Sequence, residues 1–120
     1  MKFSKMIKSF DFGFKGFAYL LKSENNFQFH FIATIIVLFC GFWLNVSMLE
    51  WGVLIIQIAA VFSAEAFNTA IEKLCDFVSP EWEAKIGKVK DLAAAGVLIV
   101  AISSIFIALL VFGNKIIAKF

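Results

Sequence analysis

The sequence predicts an all-α membrane protein, and two observations lead to this class. Of the 120 residues, 62% are hydrophobic and 16 are Phe, and a soluble domain of this length could not bury so much apolar surface. Two apolar runs, residues 31–49 and 92–113, are each long enough to cross a bilayer, which takes about 20 residues. A third run begins at Trp51. We therefore expect a single domain, residues 1–120, with three transmembrane helices.

The first 23 residues or so are predicted to form an amphipathic helix on the membrane surface. Apolar residues recur there at helical spacing, and lysines are interleaved with them. Gly13 and Gly16 weaken this helix and allow a break near them. No cleaved secretory signal is expected, because lysine and phenylalanine are mixed throughout the segment. The apolar residues are Phe3, Met6, Ile7, Phe10, Phe14, Phe17 and Leu21.

The three spans are expected at about residues 27–46, 51–78 and 91–113. A short turn at residues 45–50 separates the first two, and a longer polar loop at 79–90 separates the last two. The amino-terminal segment has five lysines and the 79–90 loop has three, whereas the short turn has none. Because lysines are retained on the cytoplasmic side of a membrane, both lysine-rich parts are predicted to face the cytoplasm.

Polar residues recur on one face of the second predicted span. The stretch AEAFNTAIEKLCD places Glu65, Glu72 and Asp76 within about 40° of one another on a helix. Asn68 lies about 60° to one side. Counting about 1.5 Å per residue from Trp51 across about 30 Å of hydrocarbon puts Glu65 about 9 Å short of the cytoplasmic boundary. A carboxylate at that depth opposes membrane insertion, so we expect Glu65 to face protein or water.

Charged residues from the other segments reach the same layer. Glu24 precedes the first span, and Lys90 and Asp91 open the third. Each also has a simpler structural explanation. Glu24 could be a helix-start acid favoured by the helix dipole, Asp91 a helix cap, and Lys90 a cation that flanks the membrane.

The polar stripe of the second span has structural alternatives as well. Asn68 could join two helices by a hydrogen bond, and Glu72 and Asp76 could form a solvated helix end. Glu65 is the hardest to explain in this way, because its depth makes a carboxylate without a function costly. The single histidine, His30, is interpreted as an interface residue rather than a ligand.

This set of residues is suited to metal-dependent phosphoryl transfer. Carboxylate oxygens hold magnesium, a lysine stabilises phosphate charge, and a further carboxylate can accept the proton of an attacking hydroxyl. A helix that begins at Lys90 and Asp91 would direct the positive end of its dipole towards phosphate. The chain contains neither a phosphate-loop motif nor a kinase glycine-rich loop. A net charge of +2 argues against a nucleic-acid partner.

A different class of function uses the same residue types. Intramembrane carboxylates in a helical oligomer also build cation or proton pathways. Such a pathway needs polar groups across the whole membrane, whereas the outer part of the second span offers chiefly Gln57. A purely structural membrane subunit would not need Glu65. A cation- or proton-conducting oligomer therefore stays an alternative to phosphoryl transfer.

The stretches EAFNTAIEKLCD and KDLAAAGVL together resemble the signature of the small bacterial integral-membrane lipid kinases. These form the prokaryotic diacylglycerol kinase and undecaprenol kinase family. FKGFAYLLKSENNFQFH extends the likeness to nearly the whole chain. The resemblance implies a homotrimer in the bacterial inner (cytoplasmic) membrane, with composite active sites between protomers. It also implies transfer of the γ-phosphate of ATP, with Mg²⁺, to the hydroxyl of a membrane lipid alcohol at the cytoplasmic face.

The resemblance also implies roles for individual residues, by their position in the motif. Glu65 would be the general base, and Asn68 would lie beside it at the lipid hydroxyl. Glu24 and Glu72 would be the metal ligands. The residues implied to bind the nucleotide and its phosphates are Asp76, Lys90, Asp91 and Lys15.

Gly13 stands where the diacylglycerol branch tends to carry a hydroxyl side chain near the nucleotide, so this chain lacks that contact from the first helix. His30 favours one branch of the family: diacylglycerol kinases of Gram-negative bacteria tend to have an acidic residue there, and ENNFQFH is more similar to the undecaprenol kinase branch. Undecaprenol is therefore the expected acceptor. The alternative is diacylglycerol, whose product would be phosphatidic acid.

Overall fold

The computed structural model describes residues 1–120, which form four α-helices and no strand. These are α1 (Phe3–Ser23), α2 (Asn25–Trp43), α3 (Met48–Val78) and α4 (Ala84–Lys119). Helices α2, α3 and α4 are each long and apolar enough to cross a membrane. The predicted class, an all-α membrane protein with three spans after an amino-terminal helix, is therefore confirmed.

Helix α1 is continuous, and the break allowed by its glycines does not occur. A helical glycine costs only about 1 kcal/mol relative to alanine, and the neighbouring turns outweigh that cost. Phe17 packs edge-on against Phe27 of α2 and Phe62 of α3, with ring centroids 5.2 and 6.1 Å away. This aromatic contact holds the end of α1 against the two spans that follow it.

The turn between α2 and α3 is closed by local hydrogen bonds. Asn45 has a φ of 51°, a left-handed conformation that asparagine adopts more readily than most residues. Ser47 and Glu50 form a reciprocal capping box at the start of α3. Lys115 Nζ lies 3.1 Å from Glu50 Oε1, so the carboxyl-terminal part of α4 reaches the same turn. Polar contacts thus hold the α2–α3 turn to the start of α3 and to the carboxyl-terminal part of α4.

Helices α3 and α4 make the most extensive interhelical contact. Within it, Gln57 Nε2 donates hydrogen bonds to the backbone oxygen of Val100, at 3.0 Å, and to Ser104 Oγ, at 2.9 Å. An amide without partners is costly in hydrocarbon, and an interhelical bond removes that cost. Gln57 therefore joins α3 to α4.

Helix α4 begins earlier than the sequence predicts. The polar loop covers residues 79–83 rather than 79–90, and the backbone N–H of Gly87 already donates to the oxygen of Glu83, at 2.9 Å. The expected helix start at Lys90 and Asp91 is wrong, because both residues lie inside α4. Lysine and alanine form helix well in water, so the change from polar to apolar sequence marks the membrane boundary and not the helix end. Asp91 is accordingly not a helix cap.

The chain buries little of its own apolar surface. Only 12 of its 120 residues are buried, and in the 36 residues of α4 the sole buried one is Val111. Val111 packs with Val46 and Leu54 in a small core near the α2–α3 turn. The remaining apolar side chains need lipid or another protein around them, since their exposure to water would be unfavourable.

One close approach between helices can be tested by substitution. A Cβ added to Gly41 would lie 2.4 to 3.0 Å from ring carbons of Trp51, whereas one added to Gly52 would meet nothing within 4 Å. We expect Gly41→Ala to lower the free energy of unfolding by about 1–3 kcal/mol, because the indole must shift. The matched control Gly52→Ala should leave it unchanged or raise it by about 0.5–1 kcal/mol. Unfolding in detergent micelles, followed by circular dichroism, measures both. Equal stability of the two variants would contradict the close contact.

Candidate active site

The carboxylate of Glu65 is buried between two spans. The residue is 2% exposed, and α3 presents it to α2. His30 Nε2, on α2, lies 3.1 Å from Glu65 Oε1. Oε1 nevertheless has no hydrogen-bond partner, so the imidazole is near the oxygen without directing an N–H at it. A buried carboxylate oxygen without a partner is unusual, because its desolvation is uncompensated.

Asn68 is placed one turn along α3 from Glu65. It is 8% exposed, and its Nδ2 donates a hydrogen bond to Glu72 Oε1 at 3.2 Å. This bond stays within α3, so Asn68 does not join two helices as the structural alternative would require. Its Oδ1 is buried and has no partner. The stripe therefore offers a free acceptor oxygen beside Glu65, where a ligand hydroxyl could donate.

Glu24 lies at the junction of α1 and α2, as the single residue between them. Its side chain makes no capping hydrogen bond to α2, so the carboxylate is not used as a helix cap. Glu24 and Glu72 are the other carboxylates close enough to repel that of Glu65. Three acidic residues from two parts of the chain thus share one region. No three Asp, Glu, His or Cys side chains, however, are grouped closely enough to form an all-protein metal site.

Asp76 and Lys90 form an ion pair between α3 and α4. Lys90 Nζ donates to Asp76 Oδ1 at 2.5 Å, and the two side chains are 39% and 66% exposed. An ion pair this exposed contributes little to stability. Its structural effect is to hold the lysine of α4 beside the acidic stripe of α3. Asp91, the next residue, is exposed and forms none of the ion pairs or side-chain hydrogen bonds.

Lys15 is not joined to the other predicted site residues. Its Nζ lies 3.1 Å from Asp11 Oδ2, one turn earlier on the same helix, and both side chains are exposed. The cation that does link α1 to α3 is Lys73, whose Nζ lies 5.1 Å from the ring centroid of Tyr19. Sequence analysis overlooked Lys73 and Tyr19, since each by itself is an ordinary surface residue of an amphipathic helix.

An apolar groove runs along α1 where it faces α3. Its volume is about 530 Å³, and it is open to the outside. Tyr19 and Lys73 lie on its wall, with Gly13, Gly16 and Phe17 of α1. Because neither glycine has a side chain, the groove is wider along that part of α1. The groove ends near the acidic stripe, since its wall also includes Thr69, next to Asn68.

The sequence predicts that His30 is an interface residue rather than a ligand, and it names no partner for it. The structure places His30 between α2 and α3, with its Nε2 beside Glu65 Oε1. The two residues are 35 positions apart on different helices, so spacing within one helix carries no signal of their contact. Only the way in which α2 packs on α3 brings them together.

Known proteins are similar to this chain over most of its length. Residues 11–112 match the family model described as prokaryotic diacylglycerol kinase. The chain is 36% identical over 113 residues to the undecaprenol kinase of Bacillus subtilis (strain 168), covering 94% of this chain and 92% of that protein. It is 28% identical over 103 residues to the diacylglycerol kinase of Escherichia coli (strain K12), covering 86% and 84%. The chain therefore belongs to the prokaryotic diacylglycerol kinase family, and it is a membrane lipid kinase.

Proposed function

We propose that this protein transfers the γ-phosphate of ATP to the hydroxyl of a membrane lipid alcohol at the cytoplasmic face, with undecaprenol as the acceptor. The observation that carries the proposal is the buried Glu65 on a spanning helix, next to the unpartnered oxygen of Asn68. A carboxylate at this depth is costly unless it has a function. Phosphorylation of a lipid would give the Glu65 carboxylate a function, because the lipid's acceptor hydroxyl would reach it within the membrane.

In the proposed reaction, the lipid hydroxyl oxygen attacks the γ-phosphorus of ATP. A new oxygen–phosphorus bond forms, the bond to the leaving ADP oxygen breaks, and the hydroxyl proton passes to the Glu65 carboxylate. Asn68 lies beside the acceptor, and its free Oδ1 would accept a hydrogen bond from a bound water there, because the single hydroxyl proton of the lipid alcohol passes to Glu65. Burial excludes bulk water from Glu65, which disfavours hydrolysis of ATP in place of transfer.

Two glutamates fit the magnesium ion that accompanies ATP. Magnesium usually takes one or two protein carboxylates and fills its other positions with phosphate oxygens and water. Glu24 has no capping role, and Glu72 has one oxygen beyond that bonded to Asn68, so both carboxylates are available. When bound, the ion would neutralise charge on the phosphates. We propose that Lys90, oriented by Asp76, binds the phosphates, with Lys15 as a further phosphate contact. Asp76 and Asp91 would contact other groups of the nucleotide, because a carboxylate repels phosphate.

We propose that the working unit is a homotrimer. The proposal rests on the exposed apolar surface of the single chain, because the chain itself buries only a small share of its apolar side chains. Small residues on α3 and α4, at 59–64 and 93–96, would permit close approach of helices from another protomer. A second protomer would also supply groups that the single chain lacks around Glu24 and Glu72. The number three comes from the resemblance to the family.

Undecaprenol is preferred to diacylglycerol on two grounds. The relative named undecaprenol kinase is 36% identical and covers more of this chain than the relative named diacylglycerol kinase, at 28%. His30, which contacts Glu65, stands where the diacylglycerol branch tends to be acidic. Diacylglycerol kinase activity is the second candidate, favoured by the name of the matching family model.

The role of Glu65 predicts a large effect of a small substitution. Glu65→Gln keeps the size of the side chain but removes the base, so kcat should fall by about two to four powers of ten. Steady-state rates with purified protein in mixed micelles measure this effect. The control, Glu50→Gln, changes a carboxylate in the first turn of the same helix, far from Glu65, and should keep the kcat of the unaltered protein. Unaltered turnover of Glu65→Gln would remove Glu65 from the mechanism.

The proposed metal ligands predict a change in magnesium dependence. Glu24→Gln and Glu72→Gln should each weaken binding of the magnesium–nucleotide complex, so that higher magnesium partly restores the rate. Glu83→Gln, in the loop before α4, serves as the control and should titrate with magnesium like the unaltered protein. Rates measured over a magnesium series at fixed ATP test the assignment. Identical magnesium curves for all three variants would show that the ligand assignment is wrong.

The depth of Glu65 predicts the class of acceptor. Glycerol must leave water to reach a base about 9 Å inside the hydrocarbon boundary, whereas a lipid alcohol is already anchored in the membrane. Initial rates should therefore be highest with undecaprenol, lower with diacylglycerol and negligible with glycerol, at equal surface fraction of the two lipids. A preference for diacylglycerol would overturn the branch assignment alone. Equal rates with glycerol would overturn the depth argument.

A further inference from the structure

The contact between His30 and Glu65 has a specific geometry. His30 Nε2 and Glu65 Oε1 are 3.1 Å apart, and their side chains are 21% and 3% exposed. Oε1 is fully buried and has no other polar partner. The imidazole is therefore the protein donor beside this oxygen, although its N–H is not directed at Oε1 in this arrangement. The other carboxylate oxygen, Oε2, is left for a different contact.

We propose that His30 is a positioning residue for Glu65: its Nε2–H holds Oε1, so that Oε2 is presented to the acceptor hydroxyl. This inference rests on the proposed function, in which Glu65 is the base. A glutamate carboxylate rotates through a broad torsional minimum, so a free side chain would spend much of its time misdirected. A base must lie within hydrogen-bond reach of the proton that it takes, and fixing one oxygen fixes the other.

The surroundings of His30 allow the small rotation that this hydrogen bond needs. The ring lies edge-on to Phe29, with centroids 5.8 Å apart, and forms part of the wall of a crevice of about 80 Å³ between α2, α3 and α4. Thr34 bonds to the backbone oxygen of His30 at 2.8 Å and leaves the ring free. Rotation about the bond to the imidazole is soft, so the N–H can turn towards Oε1 without movement of the helices.

The interaction also explains why the helix tolerates a carboxylate there. Without the imidazole, the buried Oε1 would have no donor beside it, and a buried carboxylate oxygen with no donor is strongly unfavourable. A side chain at position 30 that can donate one hydrogen bond at the same reach should therefore preserve the arrangement. An apolar ring of similar shape should fill the space and lose the hydrogen bond.

The test compares His30→Phe with His30→Gln, using undecaprenol and ATP in mixed micelles. Phenylalanine keeps a ring but has no donor, so kcat should fall by about 10- to 100-fold, with both KM values within about twofold. Glutamine can donate from a similar position and should restore kcat to within about threefold of the unaltered protein. Thr34→Val, one turn along α2, is the control for repacking and should keep the full kcat. Thermal unfolding in the same micelles confirms that the variants are folded.

A double variant separates this inference from the proposed function. If His30 acts through Glu65, His30→Phe should cause no further loss of kcat in a Glu65→Gln background. The same fold-loss in both backgrounds, or an unchanged kcat of His30→Phe alone, would overturn the positioning role while leaving the base in place. Unaltered turnover of Glu65→Gln, or no lipid phosphorylation by the unaltered protein, would overturn the proposed function and this inference with it.

Discussion

The structure depends on keeping one carboxylate, that of Glu65, away from lipid. A charged or strongly polar side chain within hydrocarbon must face protein, water or a polar partner. Helix α2 provides this shelter, because it packs on the face of α3 that carries Glu65 and places His30 3.1 Å from Oε1. The orientation of α3 about its own axis meets this requirement. Asn68 and Glu72, which share the face, are oriented with it.

Further contacts hold α3 at its amino-terminal end and near its middle. At the amino-terminal end, the capping box of Ser47 and Glu50 and the ion pair from Lys115 close the molecule around the α2–α3 turn. Further along, Gln57 bonds to α4. At the middle of the helix, the ring of Phe62 packs against Phe27, with centroids 4.9 Å apart. These local interactions compensate for a core of few buried residues, since lipid provides no hydrophobic force between helices.

The environment changes along α3. Glu65 and Asn68 are buried, whereas Asp76 is exposed and paired with Lys90. In the proposed reaction, the buried part of the helix would meet the membrane lipid and the exposed part the nucleotide. The change occurs over about three turns. Such a gradient follows from crossing the membrane boundary, and a soluble enzyme would need a closing lid to obtain the same exclusion of water.

Much of this protein could be predicted from the sequence by itself. Apolar runs of sufficient length require membrane spans, so the number and order of the helices followed from hydropathy. The acidic stripe of α3 followed from helical periodicity, because residues of one helix have a fixed angular relation. The motif within that stripe also identified the family. Each of these features depends on neighbours within one segment, and local sequence determines them.

One local feature is not visible in hydropathy: α4 starts at Ala84, because hydropathy reports the membrane boundary while backbone hydrogen bonds set the helix end. The tertiary structure decided what depends on contacts between segments. The pairing of Lys90 with Asp76, and of Lys73 with Tyr19, required the packing of separate helices. The contact of His30 with Glu65 is the clearest case, since it joins two helices through the rotation of each about its axis. That rotation is fixed by the sum of many weak packing interactions, and no pattern within a single segment encodes it.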